Sequence, residues 1–337
     1  RHRIGESGIE LILKESIRIN GNDSNDSTAS IDTTVQEKNI TFPTDSKLHR
    51  KIIDKCKKIA EKENLPVRQS YTRTLKKLSL DQRFRNHPRN KWKARKADRK
   101  EKTIAGRLVR ELERNLLPDS RYQSDIDLFK RILSQKKNDS NKVYSVHEPD
   151  VQCISKGKEH KKYEFGNKVS IIYTQTTGVI IGAMGFRNPY DGHTIEPALE
   201  QAERLLGKRT IKTLIGDRGY RGKRQINETT IEIPKPFNNR KQSQYQQNKL
   251  KKQFRRRAAI EPINGHLKTD HRLNRNFYKG ITGDNINVML AAAAFNFKRM
   301  MNKWKSSFWL VFKNQIVDLI NSKFYQINNQ IILKWAF

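Results

Sequence analysis

The order of elements in the sequence predicts a mixed α/β fold, a sheet with helices on its faces and a basic helical insertion between its first and second strands. Three observations predict it. A β-branched run, IDTTVQEKNITFPTD, stands early in the chain, and β-rich runs return only after residue 140. Between them lie amphipathic and strongly basic helical stretches. After the last strand, two further helical stretches close the chain.

The elements follow in order. Residues 4–20 carry Ile9, Leu11, Ile12, Leu13 and Ile17 and read as a short helix. GNDSNDSTAS is a turn-rich polar linker leading to a strand with Asp32 inside it. Asp is depleted in strands, so this carboxylate is either a strand-end residue or a functional one. Asp45 is the expected N-cap of a helix over residues 46–63, with Leu48, Ile52, Ile53, Cys56, Ile59 and Ala60 as its apolar stripe. Residues 71–117 are expected to continue helical, and RFRNHPRNKWKARKADRKEK crowds cations around Phe84 and Trp92.

After Pro118 and a helix over residues 125–135, KVYSVHEP and VQCISKG give short β runs, and YEFGNKVSIIYTQTTGVIIGAMGFR reads as a hairpin around Thr177-Gly178. TIEPALEQAERLLG is a helix ending at Gly207. Ile211, Leu214 and Ile215 form a buried strand that ends at Gly216-Asp217-Arg218-Gly219-Tyr220. A carboxylate just past the C-terminal end of such a strand stands where α/β sheets place ligands. TIEIPKPF adds a strand closed by Pro234 and Pro236, a polar stretch 238–253 follows, and residues 286–304 form a C-terminal helix.

Charge narrows the function. The 69 Lys and Arg outnumber 35 Asp and Glu, a net charge of +34, which a polyanion such as nucleic acid would balance. An anionic membrane surface fits less well, because the cations are spread along the chain and no apolar run approaches the roughly twenty residues that span a bilayer. The two cysteines, Cys56 and Cys153, form no CxxC pair, which argues against zinc fingers and disulfide frameworks and for a reducing cytosol. Lys91, Trp92, Lys93, Arg95 and Lys96 are the expected phosphate-backbone contacts of the basic stretch. The chain starts at Arg1 inside an ordered stretch, which suggests a fragment.

The segment FRRRAAIEPINGHLK, residues 254–268, concentrates the chemistry. On a continuous helix Phe254, Arg257, Glu261 and Lys268 fall within roughly 60° of arc, with a kink expected after Glu261 at Pro262. Arg257 and Glu261 alone have the spacing of an ordinary surface ion pair. The longer pattern is similar to the Y-x-x-R-x-x-x-E-x6-K signature of DDE-class insertion-sequence transposases in the insertion-sequence-five and insertion-sequence-four-like branch, with Phe254 in place of Tyr. IDTTVQEKNITFPTD, KGKEHKKYEFGNKVS, NPYDGHT and IGDRGYRG resemble that family's recurring blocks.

The resemblance implies an RNase-H-like, retroviral-integrase-like sheet with the second aspartate after the fourth strand. It implies a catalytic and metal-binding triad of Asp32, Asp217 and Glu261 holding Mg²⁺ or Mn²⁺, two ions in all. Spacing alone leaves Asp32 in competition with Asp45, Asp150 and Asp191, and the resemblance selects Asp32. Arg257 and Lys268 would contact DNA near the scissile phosphate, with Arg218 and Tyr220 beside them, and His193 and Phe254 as supports. The substrate would be double-stranded DNA, the transposon's terminal inverted repeats and its target, acted on by a homodimer in a prokaryotic, nucleoid-associated cytoplasm.

The expected organisation is an N-terminal helix and linker over 1–30, remnant of an end-binding region. The first strand of the core follows at 31–45, the helical insertion at 46–140, the catalytic core at 141–304 and an apolar tail at 305–337. A catalytically silent, transposase-derived DNA-binding protein is the alternative; an RNA-binding basic protein would explain the charge but not the acids.

Overall fold

The computed structural model describes residues 4–117, 120–155, 161–207, 211–234 and 243–335. Helix α1 (Gly5–Arg18) leads through the polar turn into β1 (Thr28–Lys38). The insertion is α2 (Asp45–Lys62), α3 (Thr72–Asp81), α4 (Lys91–Asn115) and α5 (Gln123–Ser134). The chain returns through β2 (Gln152–Ile154), β3 (Glu164–Thr174), β4 (Ile180–Phe186), α6 (Ile195–Leu206) and β5 (Thr213–Ile215). Two short strands follow, β6 (Gln225–Ile226) and β7 (Thr229–Glu232). Helices α7 (Gln244–Arg257) and α8 (Ile260–Thr269), strand β8 (Arg275–Asn276) and the long α9 (Gly280–Trp335) complete it.

Strand β1 is central. It pairs antiparallel with β3 from Ala29–Thr174 to Glu37–Gly166. On its other edge it runs parallel to β5 at residues 28–30 and to β8 at residues 37–38. Between those contacts residues 31–36 of β1 pair with no strand on that edge among the described residues, which opens the sheet beside Asp32. β5 continues parallel to β7, and β7 pairs antiparallel with β6. On the far edge of β3 lie β2 and β4.

Two apolar cores hold this arrangement. The larger joins the sheet to α1, α6, α8 and α9 through residues such as Leu13, Ile31, Ile172, Leu199, Leu267 and Ala292. The second belongs to the insertion, where Ile52, Ile53, Ile104, Leu108 and Phe129 pack together. Inside it the buried Glu101 carboxylate is matched by Arg50, Ser46 and Gln82. The outward N–H groups of β4 are closed by side-chain amides. Asn296 accepts from Ile180 at 3.0 Å, Gln201 from Ala183 at 2.9 Å and Asn285 from Gly185 at 2.9 Å, which blunts an edge otherwise open to pairing.

Several sequence expectations are corrected. Thr44, not Asp45, caps α2, its hydroxyl accepting from Lys47 N at 3.3 Å. Residues 71–117 are two helices joined by turns at 82–90, where the left-handed Phe84 precedes Pro88. KVYSVHEP is coil, while the short β6 and β8 were not expected. Asp217 follows the fifth strand in chain order, because the three-residue β2 adds a strand at the edge. Helix α9 continues into the 305–337 tail, with Phe308 and Trp309 exposed. Pro118, Pro236 and residues 156–160 lie outside the described residues.

At the far end of β1 a buried ionic cluster fastens it to α9. Lys38 Nζ lies 2.6 Å from Asp284 and 3.2 Å from Glu148, and Asn167 and Asn276 also donate to Asp284. Burial pushes the Asp284 carboxyl up to about 6 from 3.8, with Lys38 and Asn276 opposing. Folded Asp284 thus holds its proton more tightly than the unfolded chain does. Its contribution to stability falls as pH rises from 3.8 to about 6, by about 3 kcal/mol. Asp284→Asn should remove this slope, seen as a loss of wild-type stability relative to the variant across that window in denaturant melts. Gly166 makes a second test, because a Cβ there would stand 1.9 Å from the Gln36 carbonyl oxygen. Gly166→Ala should part β3 from β1 and leave no cooperative thermal transition.

Candidate active site

The parallel pairing of β1 with β5 sets the geometry. Ser30 lies opposite Ile215, and Asp32 and Asp217 each follow that rung by two residues. Alternation along a strand sends residues two apart to the same face, so the two carboxylates emerge at the same level. The backbone of Asp217 stays extended, and its Oδ1 accepts from Gly219 N at 2.7 Å, capping the short turn Arg218–Tyr220.

A third carboxylate joins them. Asp191 opens the turn between β4 and α6, and its Oδ1 accepts from Thr33 Oγ1 at 3.1 Å and faces Lys168 Nζ at 2.9 Å. A Cβ on Gly219 would lie 2.9 Å from Asp217 Oδ1 and 3.0 Å from Asp191 Oδ2, so the two carboxylate oxygens approach the glycine too closely for a methyl group to fit. Beneath them Tyr220 is fully buried. Burial first, then the charges of Asp32, Asp191 and Asp217, raise its phenol well above 10, with the Thr33 hydroxyl opposing. That burial corrects the expectation of a DNA contact at Tyr220, because no part of the ring reaches the surface. It forms the floor under the acids.

The signature segment is not one continuous helix. α7 stops at Arg257, Ala258 and Ala259 form a turn, and α8 starts at Ile260. The break therefore precedes Glu261 instead of following it. A proline ring clashes with the carbonyl four residues earlier, which for Pro262 is Ala258, and proline is tolerated in a helix's first turn. The consequence is a re-aimed pair of helix ends. Arg257 Nη1 lies 4.0 Å from Asp32 Oδ1, and Asn264 Nδ2 donates to Asp32 Oδ2 at 3.2 Å. The carbonyl of Arg257 accepts from the Tyr173 hydroxyl at 2.8 Å, fixing the end of α7. Burial pushes that phenol up to about 12, so it stays a donor at any ordinary pH.

Glu261 is exposed in the first turn of α8, one turn before Asn264. Among the described residues no three His, Cys, Asp or Glu side chains stand close enough to hold one metal ion. The donor chemistry nonetheless suits a hard divalent cation, because the carboxylates around Gly219 offer only oxygen. Mg²⁺ needs one or two carboxylates beside waters and phosphate.

The remaining expected residues lie as follows. Arg218 is exposed at the turn after Asp217, and Phe254 and Lys268 are half-buried on α7 and α8. Lys91, Trp92, Lys93, Arg95 and Lys96 are all exposed on the first turns of α4, with Lys93 3.6 Å from Asp81. His193 is exposed, its ring packed edge-on to Tyr190 at 5.7 Å. Asp191 enters the sequence analysis only as a rival to Asp32, and Lys168 and Asn264 carry no signal there beyond the GNK and NGH strings. Their roles arise from long-range contacts.

Residues 138–297 match the model of the transposase DDE domain. The match, to a DDE-class transposase domain, covers just under half of the chain, and the segment includes Asp191, Asp217 and Glu261 while Asp32 precedes it. A curated relative, the uncharacterized protein ORF8 in the nfe locus of Rhizobium meliloti, is 38% identical over 94 residues. That match covers 26% of this chain and 45% of the relative, so the chain spans under half of the relative's length. No solved structure matches. No described helix is long and apolar enough to cross a membrane.

The close approach at Gly219 is testable. Gly219→Ala would drive its methyl group into Asp217 Oδ1, which the Gly219 N–H holds, and into Asp191 Oδ2. Metal-dependent DNA cleavage should fall by at least about tenfold, with a thermal midpoint close to wild type.

Proposed function

We propose that the protein is an insertion-sequence transposase that cuts and joins DNA at transposon ends by phosphoryl transfer, with Asp32, Asp217 and Glu261 as its acidic centre. The observation that carries this is the shared rung of β1 and β5. It brings Asp32, from outside the matched segment, level with Asp217 inside it. The strand order β4-β3-β1-β5-β7, antiparallel then parallel, supports an RNase-H-like sheet, and the signature over residues 254–268 supports the insertion-sequence-five branch.

Mg²⁺ or Mn²⁺, two ions in the complete centre, would be held by these carboxylates. Bound there, the ions supply an activated water or 3′-hydroxyl and stabilise the leaving oxygen. The chain's own residues do the rest. Arg257 and Asn264 orient the Asp32 carboxylate, and Gly219 N orients that of Asp217. Arg257 and Lys268 are assigned to the phosphates near the cut, with Arg218 beside them and Phe254 and His193 as supports. The exposed cations of α4 with Trp92 hold flanking duplex, a contact made mostly through the backbone and weakened by salt. The working form is a homodimer on terminal inverted repeats and target DNA, in a prokaryotic nucleoid.

A second reading, a catalytically silent DNA-binding derivative, is favoured by one observation: among the described residues no three acidic side chains are gathered closely enough to hold one metal ion. Cleavage of DNA bearing the element's own ends, with Mg²⁺ or Mn²⁺, separates the two. Nicking by the wild type that is lost in Asp32→Ala, Asp217→Ala and Glu261→Ala, with DNA binding retained in all three, is the expected result. Binding without nicking in any protein, wild type included, would establish the silent derivative.

A further inference from the structure

The two oxygens of Asp191 have different surroundings. Oδ1 is pinned by Thr33 Oγ1 at 3.1 Å and by Lys168 Nζ at 2.9 Å. The Lys168 ammonium is itself fixed, donating to the Pro189 carbonyl at 2.7 Å, and its side chain is only 11% exposed. Oδ2 takes no hydrogen bond among the described residues and lies 3.0 Å from where a Gly219 Cβ would stand, with Asp217 Oδ1 2.9 Å from the same point. A ligating carboxylate is commonly held this way, one oxygen anchored by outer hydrogen bonds and the other presented. The fully buried Tyr220 is close enough to feel the charges of both Asp191 and Asp217, and its hydroxyl has no well-formed hydrogen bond. Thr33 belongs to β1 and Lys168 to β3, so the anchor is built on the two central strands.

We propose that Asp191 is a further metal ligand of this centre, presenting Oδ2 so that it and Asp217 hold one divalent cation across Gly219, with Lys168 and Thr33 as positioning residues. The inference rests on the metal-dependent transposase reading and adds a fourth carboxylate to it. It also gives one ion two carboxylates where, among the described residues, no three acidic side chains are gathered closely enough to hold it. Mg²⁺ and Mn²⁺ prefer oxygen donors and keep several waters, and two carboxylates with water or a DNA phosphate form such a shell.

The test is Mn²⁺ binding to the full chain without DNA, followed by calorimetry and by the spin resonance of free Mn²⁺. Asp191→Asn keeps the shape and the acceptor for Thr33. It should weaken Mn²⁺ at least about tenfold, as should Asp217→Asn, with thermal midpoints near wild type. Wild-type affinity in Asp191→Asn beside a loss in Asp217→Asn would overturn the proposal and leave the transposase reading standing. No Mn²⁺ bound by the wild type would overturn both. Asp191→Cys covers the case of an unstable Asn variant, because a thiolate ligand turns the site toward soft metals. Sulfur-to-cadmium charge-transfer absorption, absent from wild type with its own Cys56 and Cys153, is expected. Its absence from a folded Asp191→Cys would count against Asp191 as a ligand.

Discussion

The site depends on the pairing of β1 with two neighbours of opposite sense. Antiparallel β3 fixes which face each β1 residue takes, and the brief parallel contact with β5 fixes the level at which Asp217 leaves the sheet. A one-residue slip would move Asp32 to the opposite face. Slippage is resisted twice at the C-terminal end of the strand. There Gly166 lets β3 approach the Gln36 carbonyl closely. Two residues on, Lys38 sits in a buried cluster with Glu148 and Asp284, where removing one partner would leave a charge without compensation.

Holding several carboxylates together in a chain of net charge +34 is an electrostatic arrangement as much as a geometric one. Each acid at the site has its own polar partner: Arg257 and Asn264 for Asp32, Lys168 and Thr33 for Asp191, a backbone N–H for Asp217. Such partners lower the cost of placing like charges close together. The rest of the positive charge is spread over the surface of the insertion and its neighbours, where it suits long-range attraction to a polyanion.

Pro262 shows how one local constraint redirects a motif. Sequence spacing on an unbroken helix would align Phe254, Arg257, Glu261 and Lys268. The ring instead ends α7 beforehand and turns α8 so that Asn264 and the end of α7 meet at Asp32. The proline was legible in the sequence, but whether it kinks a helix or starts one depends on what the preceding turn packs against. Here the Tyr173 hydroxyl holds the Arg257 carbonyl.

The sequence by itself determined the elements with strong local signals. Amphipathic periodicity set α1, α2, α5 and α6, the turn at Thr177-Gly178 set the β3–β4 hairpin, and Gly207 ended α6. It also determined the place of Asp217, since an apolar strand running into Gly-Asp-Arg-Gly is a local pattern. Only the tertiary structure decided what lies beside that aspartate. Asp32 and Asp191 come from distant parts of the chain, and strand pairing, not spacing, makes them neighbours. The two-residue β6 and β8 were illegible for the same reason, since segments so short have no periodicity and exist only through the strands they pair with.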